Sequence, residues 1–131
     1  MSRGEIDTKL KIIYAKSALE WCEINLGINT RKRRKLELRI SERKRKSGKF
    51  YFYGNYCFYR KRIVIYISNC KTYKDIVSTI IHEYTHYLQS RTKYEEYEKL
   101  YYYSTNPYER QAKRNEEKYT KMCLSDIRKS L

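Results

Sequence analysis

Apolar positions follow a helical rhythm at both ends of the chain and a strand rhythm in the middle. Ile6, Leu10, Ile13, Tyr14, Ser17, Trp21 and Ile24 recur at 3.6-type spacing, which predicts a helix over residues 5–25. Asn25 to Thr30, with Gly27 inside, reads as its stop. Leu36, Leu38 and Ile40 alternate with Glu37 and Arg39, as in a half-buried strand. Ser47-Gly48 reads as a turn. The aromatic runs Phe50–Tyr53 and Tyr56–Tyr59 are separated by Gly54-Asn55, which predicts a two-residue hairpin. Ile63 to Ile67 is a β-branched run and predicts a further strand. Residues 73–90 return to helical spacing. Residues 91–105 are polar and tyrosine-rich and predict no definite element. Asn106-Pro107 supplies an N-cap and a first-turn proline for a last helix reaching about residue 128. Helix, three or four strands, helix, connector, helix is the order of an α+β fold with a mixed or antiparallel sheet. A length of 131 residues suits one compact domain over 1–131.

Charge sharpens this picture. Charged residues make up 34% of the chain, which alone would point to disorder, but 15% aromatics, sixteen of them Tyr, argue for a folded core. The net charge of +15 is concentrated: residues 31–62 hold fourteen basic and two acidic side chains. The block runs through Arg31-Lys32-Arg33-Arg34-Lys35, Arg43-Lys44-Arg45-Lys46 and Arg60-Lys61-Arg62. One reading is an electrostatic footprint for nucleic acid or another polyanion. The plainer one is a solvated face with strand edges guarded by cations. Cys22, Cys57, Cys70 and Cys123 form no C-x-x-C pair, so they read as free thiols in a reducing compartment rather than a zinc knuckle. No apolar run reaches about 18 residues and the start lacks an apolar signal core, so the expected setting is intracellular and cytoplasmic, with no membrane partner.

The chemistry is carried by the two histidines, His82 and His86, in H-E-Y-T-H. On a helix, residues i and i+4 share one face, so both imidazoles can reach one ion. Glu83 sits about 100° round the helix, where it can hydrogen-bond a metal-bound water rather than join as a ligand. Ile76, Val77, Ile80, Ile81, Tyr84, Tyr87 and Leu88 form the apolar face of this helix; Asp75, Ser78, Thr79, His82, His86 and Gln89 form the polar one. Catalytic zinc takes three protein ligands and a water. With no third His, the last ligand must be a carboxylate or thiolate. A metzincin extension needs Gly and His where Gln89 and Thr92 stand, and is excluded. Glu109, in N-P-Y-E-R-Q-A, is the leading candidate; Glu95, Glu96, Glu98 and Glu116 are rivals. Ala112, one turn after Glu109, leaves room for close helix packing. Against this, Glu109 also suits the N3 position of a capping box with Asn106.

H-E-Y-T-H followed by N-P-Y-E-R-Q-A resembles the gluzincin group of zinc metallopeptidases, and is similar to its small members: minigluzincins, ImmA/IrrE-type and SprT-like domains. The resemblance spans roughly residues 63–118. It implies a zincin-like fold, Zn2+ as cofactor, and a protein or peptide as substrate. His82, His86 and Glu109 are then the metal ligands and Glu83 the general base. Several gluzincins place an Asp four residues after the ligand Glu to steady a His. Lys113 stands there in this chain, with Asn115 or Glu116 as substitutes. A third His and a C-terminal zinc ribbon, frequent in SprT-like proteins, are missing.

The expected reaction is peptide hydrolysis by a metal-activated water, with Glu83 taking and returning its proton. An oxyanion donor is expected from the tyrosines at 94–103: Tyr94, Tyr97, Tyr101, Tyr102 or Tyr103. The resemblance also implies that Ile63–Ile67, the strand just before the metal helix, lines the cleft and binds extended substrate by strand addition. Two alternatives remain at this level. One is a nucleic-acid-associated protein acting through Arg31–Lys35 and the interleaved aromatics. The other is an inactive metal-binding interaction module.

Overall fold

The computed structural model describes residues 3–29 and 35–131. Helix α1 (Arg3–Leu26) is followed by strands β1 (Glu37–Ser41), β2 (Lys46–Ser47), β3 (Phe50–Tyr51), β4 (Gly54–Cys57) and β5 (Arg62–Tyr66). Helices α2 (Tyr73–Leu88), α3 (Arg91–Leu100) and α4 (Pro107–Ser130) complete an α+β fold. Three strands form a mixed sheet in the order β1-β5-β4, with β1 parallel and β4 antiparallel to β5. The pair β2–β3 is a separate small hairpin.

Helix α2 is the centre of the molecule. Its start is marked by a full capping box: the Thr72 side chain accepts from Asp75 N, and Asp75 accepts from Thr72 N. Ile76, Val77, Ile80, Ile81 and Tyr84 are fully buried in the core that includes Ile63, Ile65 and Ile67. Burying an aliphatic or aromatic side chain contributes roughly 1.5–3 kcal/mol relative to exposure, so this apolar face holds the helix in place. Helix α1 lies against α2. Tyr14 stacks on Tyr73 with ring centroids 4.3 Å apart, and the Tyr84 hydroxyl donates to the Gly27 carbonyl at the end of α1. Gly27 ends α1 with φ +88°, a left-handed conformation that favours glycine. Trp21 Nε1 donates to Asp126 Oδ2 at 2.8 Å and ties α1 to α4.

Several expectations need correction. The inward stripe of α1 is Tyr14, Ala15, Ala18, Trp21 and Cys22, whereas Ile13 and Ile24 are 45% and 82% exposed. Small side chains mark the true contact face because they let the helices approach closely. Gly54-Asn55 is not a turn but the start of β4. The hairpin turns instead at Gly48, whose φ is +61°, and pairs Lys46 with Tyr51. Gly54 serves close approach: a Cβ there would lie 2.7 Å from Thr79 Cγ2 and 2.7 Å from Val64 O. The Ile63–Ile67 region forms the central strand, paired on both sides, so the edges of this sheet are β1 and β4. Residues 91–105 contain α3, N-capped by Ser90. No residue of α3 is buried, which explains why the sequence showed no apolar rhythm there. Arg31, Lys32, Arg33 and Arg34 lie outside the described residues; Lys35 is exposed. No helix among the described residues is long and apolar enough to cross a membrane.

Candidate metal centre

The polar face of α2 meets α4, and the chemistry lies between them. Asn106 caps α4, its Oδ1 accepting from Tyr108 N at 2.9 Å and Glu109 N at 3.4 Å. The carboxylate of Glu109 does not complete a capping box. It turns instead towards α2, 5% exposed, and its Oε1 touches His86 Nε2 and lies 3.6 Å from His82 Nε2. Ala112, fully buried one turn later, lets α4 come this close. The two imidazole rings are 5.1 Å apart.

The other ring nitrogens are held from behind. His82 Nδ1 lies 2.9 Å from Glu116 Oε1, which can only accept, so Nδ1 donates. His86 Nδ1 lies 2.7 Å from Gln89 Oε1. The Gln89 amide nitrogen donates to the Tyr108 carbonyl at 3.0 Å and to Gln111 Oε1 at 2.9 Å. A carbonyl can only accept, so the orientation of the Gln89 amide is set, its oxygen faces His86, and the proton must sit on Nδ1. Both rings therefore turn Nε2 towards Glu109, as metal-binding histidines do when a second group fixes their tautomer. Tyr94 packs edge-on against His86, ring centroids 5.2 Å apart, and restrains the ring further.

Charge in this cluster follows from the geometry. Burial works against a charged His82, but Glu109 and Glu116, with Glu83, outweigh it and carry its pKa up to about 10. Burial raises the Glu109 carboxyl, and the two imidazoles more than reverse that, lowering it to about 2. Burial also raises Glu83; the imidazoles oppose it, and Glu109 and Glu116 add to it. Without metal, a proton on His82 is the cation that offsets the surrounding carboxylates. A divalent ion would take that place.

Three observations test whether a metal fits. The donor set is two imidazole nitrogens and one carboxylate, that of a catalytic zinc site with one open position. Glu109 Oε1 is buried, and with the proton of each ring on Nδ1 it has no hydrogen-bond partner; a buried acceptor so placed is costly unless a cation, a proton on a ring or a metal ion, satisfies it. His82, Glu83 and His86 each bring a ligand atom within 4.8 Å of the others, so Glu83 also stands within reach of an ion held between the two imidazoles. The residues present fit a divalent metal.

His82 and Glu83 open onto a cleft of about 1260 Å³ between α2, α4 and the segment from Lys49 to Gly54. Of the candidate donors, Tyr103 lines this cleft. Burial, then the charge of Glu109 and a hydrogen bond to it, with Glu83 and Glu116, raise its pKa, so the phenol keeps its proton. Tyr101 packs on Tyr97, Tyr97 on Tyr108, and Tyr102 is 83% exposed. Among the rival ligands, Glu95, Glu96 and Glu98 are exposed on α3, Glu95 pairing with Arg91. Glu116 backs His82 instead of facing the site, and Asn115 donates to the buried Thr85 hydroxyl at 3.1 Å. Sequence reasoning treated Gln89 as one more polar-face residue. Its place one turn after His86 was the available signal.

A family model described as "Protein of unknown function (DUF3920)" matches residues 29–129. The chain belongs to the DUF3920 family. The matched region holds every residue of the metal centre and the whole sheet, and leaves out all of α1. Neither the curated proteins nor the solved structures searched include a match.

Proposed function

We propose that this DUF3920 protein is a zinc-dependent metallopeptidase of zincin-like fold, with His82, His86 and Glu109 as metal ligands and Glu83 as general base. The observation that supports the reading best is the buried Glu109 Oε1, brought by α4 to the Nε2 atoms of both histidines, with no donor other than a proton on those rings. Zinc, when bound, would acidify a water and polarise the scissile carbonyl.

The chain's own groups supply the rest. Glu83 is half-buried, accepts no hydrogen bond among the described residues, and its pKa is raised by burial. A carboxylate so placed takes a proton from water readily and gives it to the leaving amine. Tyr103, still protonated, can donate to the oxyanion that develops on the substrate. Glu116 and Gln89 keep the imidazoles in the tautomer that leaves Nε2 free. The edge strand β4 borders the cleft at Gly54 and offers backbone to an extended peptide.

The test is Glu83→Gln, assayed on unfolded protein substrates with metal content measured in parallel. Zinc should remain bound at one ion per chain while cleavage falls by about 10²–10⁴-fold. Unchanged cleavage would remove Glu83 as the base.

A further inference from the structure

Helix α4 has a second face, turned away from the metal. Its buried residues, Glu109, Ala112, Thr120, Cys123, Leu124 and Ile127, form one side, towards the metal centre and the core. Tyr119 and Asp126 meet Trp21 of α1, Tyr108 meets Tyr94 and Tyr97 of α3, and Glu117 borders the cleft. The remaining side is open. At about 100° per residue, Arg110, Arg114, Lys118, Lys121, Arg128 and Lys129 fall within one arc of about 100°. All of them are exposed, and among the described residues none forms an ion pair. Lys121 stands where this arc meets the cleft, and Lys118 Nζ lies 5.1 Å from the centroid of the Tyr119 ring. From Arg110 to Lys129 the arc otherwise holds only Gln111 and Ser125, so it contains neither a carboxylate nor an apolar side chain. It runs for about 28 Å at 1.5 Å per residue.

Every carboxylate of α4 lies off this arc. Glu109 faces the histidines, Glu116 holds His82, Asp126 accepts from Trp21 Nε1, and Glu117 stands at the cleft. Helix stability does not account for the arrangement. Arg128 and Lys129 suit the last turn, but Arg110 ends the first turn, where the helix dipole disfavours a cation. Arg110, Arg114 and Lys118 follow one another at i, i+4, where like charges repel. We propose that this face of α4 binds double-stranded nucleic acid through its phosphates. Such interfaces are polar and strongly basic, whereas a protein-binding face centres on aromatic or apolar anchors, which the arc lacks. A helix lying on a membrane turns an apolar face to the lipid, and that of α4 is in the core. Single strands are held by rings that stack on bases, and no ring lies in the arc. A duplex carries one negative charge per about 1.7 Å of its axis and has a major groove, about 12 Å wide, that admits an α-helix. The inference is independent of the peptidase reading.

The test titrates a fluorescein-labelled duplex DNA of about 20 base pairs and mixed sequence against the full chain by anisotropy. With about six phosphate contacts, affinity should fall by about a thousandfold between about 50 and 200 mM salt. The combined Arg110→Gln, Arg114→Gln, Lys118→Gln variant should bind at least about tenfold more weakly at the lower salt, and its loss across the series should shrink to about fortyfold. Each single substitution should reduce the slope of log affinity against log salt by about one, a readout that decides even if the combined variant fails to fold. A net charge of +15 attracts any polyanion, so the control removes the same charge elsewhere. Arg43→Gln, Lys44→Gln, Lys46→Gln, all at exposed positions, should leave the slope unchanged. Equal losses from the two combined variants, or a slope untouched by the single α4 substitutions, overturn the proposal. So does tighter binding of a labelled single strand of the same sequence, of polyglutamate or of phosphatidylserine vesicles, each naming the partner that replaces the duplex.

Discussion

Helix α2 meets its two helical neighbours in opposite ways. Towards α1 it presents apolar side chains, and the contact is made by Tyr14, Ala15, Ala18, Trp21 and Cys22 against the buried aliphatic face. Towards α4 it presents His82, Thr85 and Gln89, held by Glu116, Asn115 and Gln111, and His86, whose Nε2 faces the Glu109 carboxylate. Apolar contact is undirected and tolerates many residue combinations of similar volume. The polar contact is directional, and each group left unmatched would cost about 1–3 kcal/mol. A polar interface this closely matched, with one acceptor still orphaned, is hard to explain by stability alone. It makes sense if α4 is there to complete a metal site.

That contrast can be broken on either side. The largest effect should come from Glu109→Ala, which removes a ligand from the polar interface. Zinc affinity measured by chelator competition should fall by at least about a thousandfold, equivalent to roughly 4 kcal/mol. Ile80→Ala attacks the apolar side. It should destabilise the fold by about 2–5 kcal/mol in urea denaturation, while zinc affinity of the folded protein stays unchanged. A parallel loss of zinc affinity would mean that the two faces are not separable.

Gln89→Leu and Glu116→Gln sharpen the comparison within the polar face. Each should weaken zinc binding by about 10–100-fold, the usual cost of losing a group that orients a metal-bound His. With Co2+ in place of zinc, Gln89→Leu should alter the visible spectrum. A spectrum identical to that of the unsubstituted protein would show that the amide does not steer His86.

The smallest effect is the pH dependence of the metal-free protein. The pKa of His82 is raised to about 10, so its stabilising contribution is fully present below about 6.5 and is lost as pH rises through 10. That of Glu109 is lowered to about 2, so its contribution is present above about 4.5 and is lost as pH falls towards 2. Each group changes stability by at most about 1.4 kcal/mol per pH unit. Thermal melts across pH should show both limbs, and Glu116→Gln should flatten the alkaline one.

The elements that were legible in the sequence are those set by local signals. The Asn106-Pro107 start of α4 and the helical spacing through His82 and His86 act within one or two turns of backbone. The elements that were not legible depend on distant partners. Gly54 looked like a turn residue, but it is small because Thr79 and the Val64 carbonyl crowd the position where a side chain would stand. Helix α3 has no fully buried residue; only Tyr94 and Tyr97 are half-buried, too short a trace to mark a helix. Ile13 and Ile24 suggested the wrong inner face for α1 because their hydrophobicity outweighed that of Ala15 and Ala18, which small volume suits to close packing.

The sequence by itself determined that two imidazoles one turn apart share a face, with a carboxylate beside them, because helix geometry relates residues i and i+4 whatever surrounds them. Only the tertiary structure decided which of the later glutamates reaches those rings, which tyrosine stands at the cleft, and that Gln89 and Glu116 fix the two tautomers. Those choices depend on how α4 is docked against α2, and docking is set by Ala112, the core and the whole chain acting together.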